Sequence, residues 1–476
     1  MAGKAAGMPT KSFFVEMLTR DIDLKDAILD LLDNCLDGVV RSKGAENKRT
    51  DSNYYSGFFA EILIGKDLFS ISDNCGGIPR DTAEKYAFRM GRSSDKIDED
   101  LPTVGIYGIG MKRAIFKIGR IGEVVTRNNG AAYKVSIPAS WATEDEWDFP
   151  IEDISSEEVL PQGGTEIRIS EINQIIGEEW SSPLKLSFFI EQLSKEIRQC
   201  YSFIIQKGFQ ISINGSEIEP VQIQLLLADD TKNPRISPYV FKHTYDDVNV
   251  SLAVGFYASP PSPDEIDEGN SLKRTSLDAG WTVLCNDRVV LYNDKSHLTG
   301  WGEAGVPQYH TQFTGIRGIV MFESNNPKSL PMTTTKRGID LSSKVYSAVK
   351  DKMRQGMQLF TDYTNRWKGQ NEGERVFSSV AHPIPVGKIF EAAETREERY
   401  AIDLHTTKTG RVYNPSLPKP PNDKLFRIIH YSRDIEEISD VTEYLFHDRD
   451  YPAKPSQVGE ICFERTLREA HSKKGL

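Results

Sequence analysis

The sequence predicts an α/β protein of two or three domains, and three observations carry that prediction. Its 476 residues exceed what one ordinary hydrophobic core holds. Helical and strand-like patterns alternate through the first 205 residues. From 206 to 341 strand-like runs dominate, until one long helical pattern ends the second unit. The expected units are domains at 1–205 and 206–369, a linker at 370–424 and a small C-terminal α/β region at 425–476.

The first element is a helix over residues 21–40, DIDLKDAILDLLDNCLDGVV. Successive residues turn by about 100°, which puts Asp26, Asp30, Asp33, Asn34 and Asp37 on one narrow face. Ile28, Leu32, Cys35, Leu36 and Val39 take the opposite face, so the segment reads as a buried helix with an acidic stripe. A polar loop follows, then FFAEILI and DLFSISDN, whose apolar and β-branched content predicts strands. The second strand stops at DNCGGIP, where two glycines and a proline mark a tight turn. Residues 89–104 are polar, and GIYGIGMKRAIFKIG then sets Gly105, Gly108 and Gly110 ahead of a short apolar segment, as in a mobile loop feeding a helix.

GEVVTRN, AAYKVSIP and GGTEIRIS predict further strands, LKLSFFIEQLSKEIRQCYSFII a helix, and FQISING a strand ending in an Asn-Gly turn. In the second unit VNVSLAVGFYA, GWTVLCNDRVVLYN and GIRGIVMFES are strand-like. The loop LPMTTTKRGID leads into a helix over 342–368. NPSLPKPPND reads as an extended linker. LFRIIHYS predicts a strand, followed by two helices with Asp434 and Ser456 as N-caps.

Composition narrows the functional classes. Hydrophobic residues make up 38% of the chain, which suits a soluble globular protein. No run of about eighteen apolar residues occurs and MAGKAAGMPTKSFF has no apolar signal core, so no membrane span and a cytoplasmic location are expected. Five scattered cysteines without a CxxC pair read as reduced thiols. A net charge of −11 argues against a surface that coats nucleic acid, while leaving a local basic groove open.

Four aspartates on one helical face repel each other unless cations or water attend them. A solvated surface face is one reading. The other turns on Asn34, a mediocre helix former whose amide oxygen is a good ligand for a hard cation. Asp73 ends a strand where glycines let a flat ring approach, so its carboxylate can accept from an adenine amino group or serve as a turn aspartate. Gly105, Gly108 and Gly110 with Lys112 can present backbone amides and a charge to phosphate, without the spacing of a P-loop or a dinucleotide fold. Gly163, Gly164 and Thr165 fit a hairpin as well as a pocket wall.

Taken in order, DLLDNCLDG at 30–38, DNCGGI at 73–78, GIYGIGMK at 105–112 and GGTEI at 163–167 resemble the GHKL superfamily. Its members are the ATPases of gyrase, Hsp90-type chaperones, histidine kinases and MutL, and the glycine segment with Lys112 is similar to that of MORC-type ATPases. The resemblance implies a Bergerat-type ATP-binding α/β sandwich followed by an S5-like α/β transducer. It implies ATP and Mg²⁺ as cofactors, with Asn34 as the metal ligand, Asp73 on the adenine amino group and Thr165 supporting Asp73 through water. Asp37, Gly77, Ile78, Gly105, Gly108, Ile109, Gly110, Met111 and Lys112 would complete the nucleotide contacts. Asp30 would orient or deprotonate water, and Lys336 of MTTTKRGID would reach the γ-phosphate from the transducer, with Arg337 a weaker candidate.

Two positions depart from the family pattern. Asp30 stands where many relatives carry glutamate, one methylene longer, so its reach to the attacking water must be recovered by the backbone or by a second water. Cys75 replaces the first glycine of DxGxG and is tolerated only if its φ is not positive. The implied function is slow Mg-dependent ATP hydrolysis driving a conformational or dimerisation switch, with a homodimer and a DNA or protein partner as further implications. The alternatives are ATP binding without meaningful hydrolysis, and phosphotransfer of the histidine-kinase type, for which all eight histidines lie too late in the chain.

Overall fold

The computed structural model describes residues 10–44, 51–89, 109–155, 160, 163–228, 234–261, 276–395, 402–421 and 432–474. Among them, no helix is long and apolar enough to cross a membrane.

The first unit is a helical layer on an eight-stranded sheet. Its helices begin with α1 (Lys11–Arg20) and α2 (Leu24–Lys43), the latter started by Asp23, whose side chain accepts from Lys25 N at 2.9 Å. Its strands are β1 (Phe59–Ile64), β2 (Leu68–Asp73), β3 (Gly119–Asn128), β4 (Ala131–Ile137), β5 (Ile151–Asp153), β6 (Gly164–Ile172), β7 (Gln210–Ile213) and β8 (Ser216–Glu217). They run in the order β5-β4-β3-β6-β2-β1-β7-β8. Neighbours are antiparallel except β1 and β7, which are parallel.

Between these strands come α3 (Arg80–Thr82), continued by a π-helical turn at Ala83–Ala87, then α4 (Gly110–Ile118), α5 (Gln174–Trp180), α6 (Pro183–Cys200) and α7 (Ser202–Gln206). Ile28, Leu32, Leu36 and Val39 of α2 pack with Ile115 of α4, Leu193 of α6 and the inward Ile62, Ile71 and Ile169 of the sheet. Each such side chain contributes about 1.5–3 kcal/mol by leaving water, so this apolar face holds α2 against the sheet.

The second unit has a seven-stranded sheet ordered β13-β12-β14-β11-β10-β17-β16. Its members are β10 (Tyr239–Tyr245), β11 (Val248–Phe256), β12 (Gly280–Cys285), β13 (Arg288–Asp294), β14 (Ile316–Glu323), β16 (His405–Thr407) and β17 (Gly410–Tyr413), while β9 (Gln224–Ala228) pairs with β15 (Ala381–Pro385). The helix expected over 342–368 is α8 (Lys344–Arg366). It lays Tyr346, Val349, Met353, Met357 and Phe360 against one face of this sheet. After α9 (Asn371–Ser378), the helix α10 (Val386–Thr395) brings Val386 and Ile389 to the opposite face, beside Val240, Ala253 and Ile319. The chain ends in α11 (Ile435–Phe446) and α12 (Pro455–Lys474).

The elements run across several expected boundaries. The first sheet continues past residue 205, because β7 pairs with β1 and buries Ile211 and Ile213. Residues 370–424 are not a simple linker: they supply α9, β15, α10, β16 and β17, and the proline-rich stretch is pinned where Trp367 Nε1 donates to Pro418 O at 3.2 Å. The helix expected over 184–205 breaks at Tyr201 into α6 and α7. Asp434 caps α11 through Glu436 N at 2.9 Å, but Ser456 lies inside α12, which starts at Pro455. The strand expected at 425–432 lies, apart from its last residue, outside the described residues.

Candidate functional site

The acidic stripe of α2 is not a solvated face. Asp30, Asp33 and Asp37 are buried, and cations from distant segments meet the stripe. Lys336 Nζ donates to Asp33 Oδ2 at 2.8 Å and to Asp30 Oδ1 at 3.3 Å. Arg288 Nε and the Tyr201 hydroxyl donate to Asp33 Oδ1 at 3.0 and 2.8 Å. One turn earlier, Arg337 pairs with Asp26 through Nε at 2.6 Å and with Glu196 at 2.8 Å. Asp30 Oδ2 pairs with Arg113.

Burial pushes the Asp33 carboxyl up, but Lys336 and Arg288 outweigh it and hold the group at about 2. Burial works to lower Lys336, and Asp33, Asp30 and Asp37 together raise it above its ordinary range. Like charges on one helix therefore coexist because the second unit delivers cations into them. That unit reaches α2 by two loops. The β12–β13 turn holds Asn286 and Asp287 at φ of 49° and 66°, and Asp287 accepts from Lys207 at 2.7 Å and Tyr55 at 3.3 Å. The loop closed by the Met332–Ile339 bridge carries Lys336 at φ 56°.

Asp73 ends β2 at the other end of the α2 face. Its Oδ1 accepts from Cys75 N at 2.8 Å and from Thr165 N at 3.3 Å, the latter across the β2–β6 register that pairs Asp73 with Thr165. Burial raises this carboxyl, opposed by the Cys75 and Thr165 amides and the Cys35 and Cys75 thiols. A buried carboxylate whose donors are amides and thiols keeps capacity to accept from a ligand. The α2 helix abuts this turn: a Cβ on Gly38 would come 2.9 Å from Cys75 O.

Glycine is required where these segments converge. Gly77 has φ 72° and a Cβ there would meet Arg127 O at 2.1 Å, while one on Gly164 would meet Asp73 O at 1.9 Å. Cys75, by contrast, takes no positive φ, which is why it stands in place of a glycine. Sequence reasoning missed Thr126. Fully buried on β3, it accepts from Ile78 N at 2.8 Å, donates to Gly164 O at 3.0 Å and lies 3.1 Å from the Thr165 hydroxyl, tying the turn to the GT strand.

Gly105 and Gly108 lie outside the described residues. Ile109 precedes α4 with no side-chain cap among the described residues. Gly110 lies over Asp30, with an added Cβ 3.3 Å from Asp30 Cβ and Cγ. Met111, like Ile78, packs against the first core. Lys112 is buried and gives its ammonium to Ala87 O at 2.8 Å, and burial pulls it down to about 8. Asn34 buries its Nδ2 with no hydrogen-bond partner among the described residues. Arg113, the neighbour of Lys112, is a second residue that the sequence pattern did not single out.

Residues 22–165 match the model of a family described as histidine kinase-, DNA gyrase B-, and HSP90-like ATPase. The matched span holds Asp30, Asn34, Asp37, Asp73, Gly77, Lys112 and Thr165 and ends well before Lys336. A search of curated proteins found no match.

Proposed function

We propose that this chain, whose residues 22–165 are an ATP-binding domain of the GHKL superfamily, hydrolyses Mg·ATP slowly and uses the cycle to move its second unit, an S5-like transducer, against the first. One observation carries the reading. Lys336 comes from the second unit and stands between Asp30 and Asp33 of the first, so any anion that competes for Lys336 changes how the two units are joined.

Along α2, five residues separate Asp30 from Cys35, whose thiol bonds the Asp73 carboxylate, about 7.5 Å of axis. The base would lie at the Asp73 end and the phosphates at the Gly110 end. Asp73 would accept from the adenine amino group, and Gly77 and Thr165 would keep the backbone clear of the ring. Asn34, whose amide has an idle buried donor, would turn its oxygen to magnesium, with Asp37 lining the same wall. Bound there, magnesium would neutralise phosphate charge. The first-turn amides of α4, with Lys112, would hold phosphate. Asp30 would take the proton of the attacking water as its oxygen bonds to the γ-phosphorus and the bond to the bridging oxygen breaks.

A second reading has its own observation in support. Both oxygens of Asp30 accept from cations, Lys336 and Arg113, which suits a module that holds ATP without turning it over. Phosphate release separates the two. Wild-type release above an Asp30→Ala control supports hydrolysis; equal and negligible release, with calorimetric binding of a non-hydrolysable analogue intact, supports the binding module. By family likeness the switch acts through an ATP-dependent homodimer on a DNA or protein partner. Light scattering with the analogue, and DNA binding followed against salt, test those two points.

A further inference from the structure

We propose that Arg113 is the residue by which the site tells a nucleoside triphosphate from a diphosphate, exchanging the Asp30 carboxylate for the terminal phosphate; this rests on the ATP-binding reading above. Arg113 sits in the first turn of α4, its backbone N–H bonded to Ile109 O at 3.0 Å, at the helix end whose uncapped amides favour an anion. One terminal nitrogen of its guanidinium pairs with Asp30 Oδ2, while Nε is buried and has no partner among the described residues.

The Nε–H and one terminal NH₂ of a guanidinium form a side-on edge that matches two oxygens of one anion. Here half of that edge is used and the other half is idle. A second idle buried donor, Asn34 Nδ2, stands four residues after Asp30 on the same helix and so shares its face. Buried donors are rarely left unmade, and two of them beside one carboxylate mark a place for a further anion with several oxygens.

A terminal phosphate meets that description. It would occupy the side-on edge of Arg113 and so free Asp30 Oδ2, while Lys336 stays on Oδ1. The carboxylate oxygen that receives the proton from water then becomes available only when a third phosphate is present. A diphosphate ends short and leaves Arg113 on Asp30.

The experiment is calorimetric titration of the full chain, wild type and Arg113→Ala, with Mg²⁺ and either ADP or a non-hydrolysable ATP analogue. The expected result is an analogue affinity about tenfold weaker in the variant, the size of one charge-assisted hydrogen bond, with ADP affinity little changed. An unchanged ratio of the two affinities overturns the assignment. If Arg113→Ala does not fold, Arg113→Lys keeps the charge without the side-on edge and decides by the same ratio: a smaller ratio supports the assignment, an unchanged one overturns it. Failure of the wild type to bind either nucleotide overturns the ATP-binding reading itself and is thereby told apart.

Discussion

Lys336 places its ammonium 2.8 Å from the Asp33 carboxylate across 303 positions of chain, and it adopts a φ of 56° to do so. A lysine in the left-handed region is strained by about 1–2 kcal/mol, so the loop holds this conformation only because the buried pair compensates it. The pair is at once a joint between the two units and the means of delivering a cation to Asp30.

Lys336→Ala should therefore cost far more than an exposed lysine would. It leaves the Asp33 charge buried with Arg288 as its remaining cation, and breaking such a pair typically costs about 3–5 kcal/mol. Urea denaturation measures it. Pairing Lys336→Met with Asp33→Asn removes both charges, yet it leaves Arg288 buried without its carboxylate, so little of that loss should be recovered. A single-variant loss below about 1 kcal/mol, the scale of a surface pair, would contradict the joint.

Acid should loosen the same joint. Asp33 is held at about 2, below its ordinary 3.8. A carboxyl depressed in the folded chain adds stability above the unfolded value and loses it as pH falls through the folded one. The contribution is complete above about pH 4 and disappears towards pH 2, roughly 2 kcal/mol in all. Chemical denaturation from pH 5 to 2 should show this slope in the wild type and a shallower one in Asp33→Asn.

How much of this was legible in the sequence follows from which interactions are local. Helical spacing alone put Asp26, Asp30, Asp33 and Asp37 on one edge of α2, and the glycines at 76–77 and 163–164 announced turns before any partner was known. Spacing says nothing about what meets that edge. Arg113, Tyr201, Arg288 and Lys336 arrive from 83 to 306 positions away, so the choice between a solvated stripe and a buried one could not be made from α2 itself. The same blindness applies to β7, which lies beyond a helical segment yet extends the first sheet by parallel pairing with β1. Thr126 looked like any β-branched strand residue; only the convergence of β2, β3 and β6 makes its hydroxyl a hub.

Gly164→Ala should damage the pocket rather than merely the strand. Gly164 has φ 151°, and the added methyl would fall 1.9 Å from Asp73 O, well inside contact distance. Either β6 moves away from β2 or Asp73 shifts, and both break the bond from Thr165 N to the Asp73 carboxylate. The expectation is loss of adenine-nucleotide binding together with a drop of at least about 2 kcal/mol in stability. Gly177→Ala is the control, since its Cβ would meet nothing nearer than 3.9 Å. If both variants bind nucleotide alike, Asp73 does not hold the base.

Lys112 gives stability and binding opposite pH slopes. Burial pulls its ammonium down to about 8, against 10.5 ordinarily. Below pH 8 the lysine is charged in both folded and unfolded chains. Between about 8 and 10.5 the unfolded chain keeps a proton that the folded chain has released, so unfolding takes up a proton and stability rises with pH across that window. Affinity for a triphosphate should fall over the same interval, because the charge facing phosphate is being lost. Calorimetry with the ATP analogue at pH 7 and 9, beside urea denaturation at the same pH values, should show both trends in the wild type and neither in Lys112→Met. A stability slope without a binding slope would mean that Lys112 serves the Ala87 carbonyl alone, leaving phosphate to the α4 amides and Arg113.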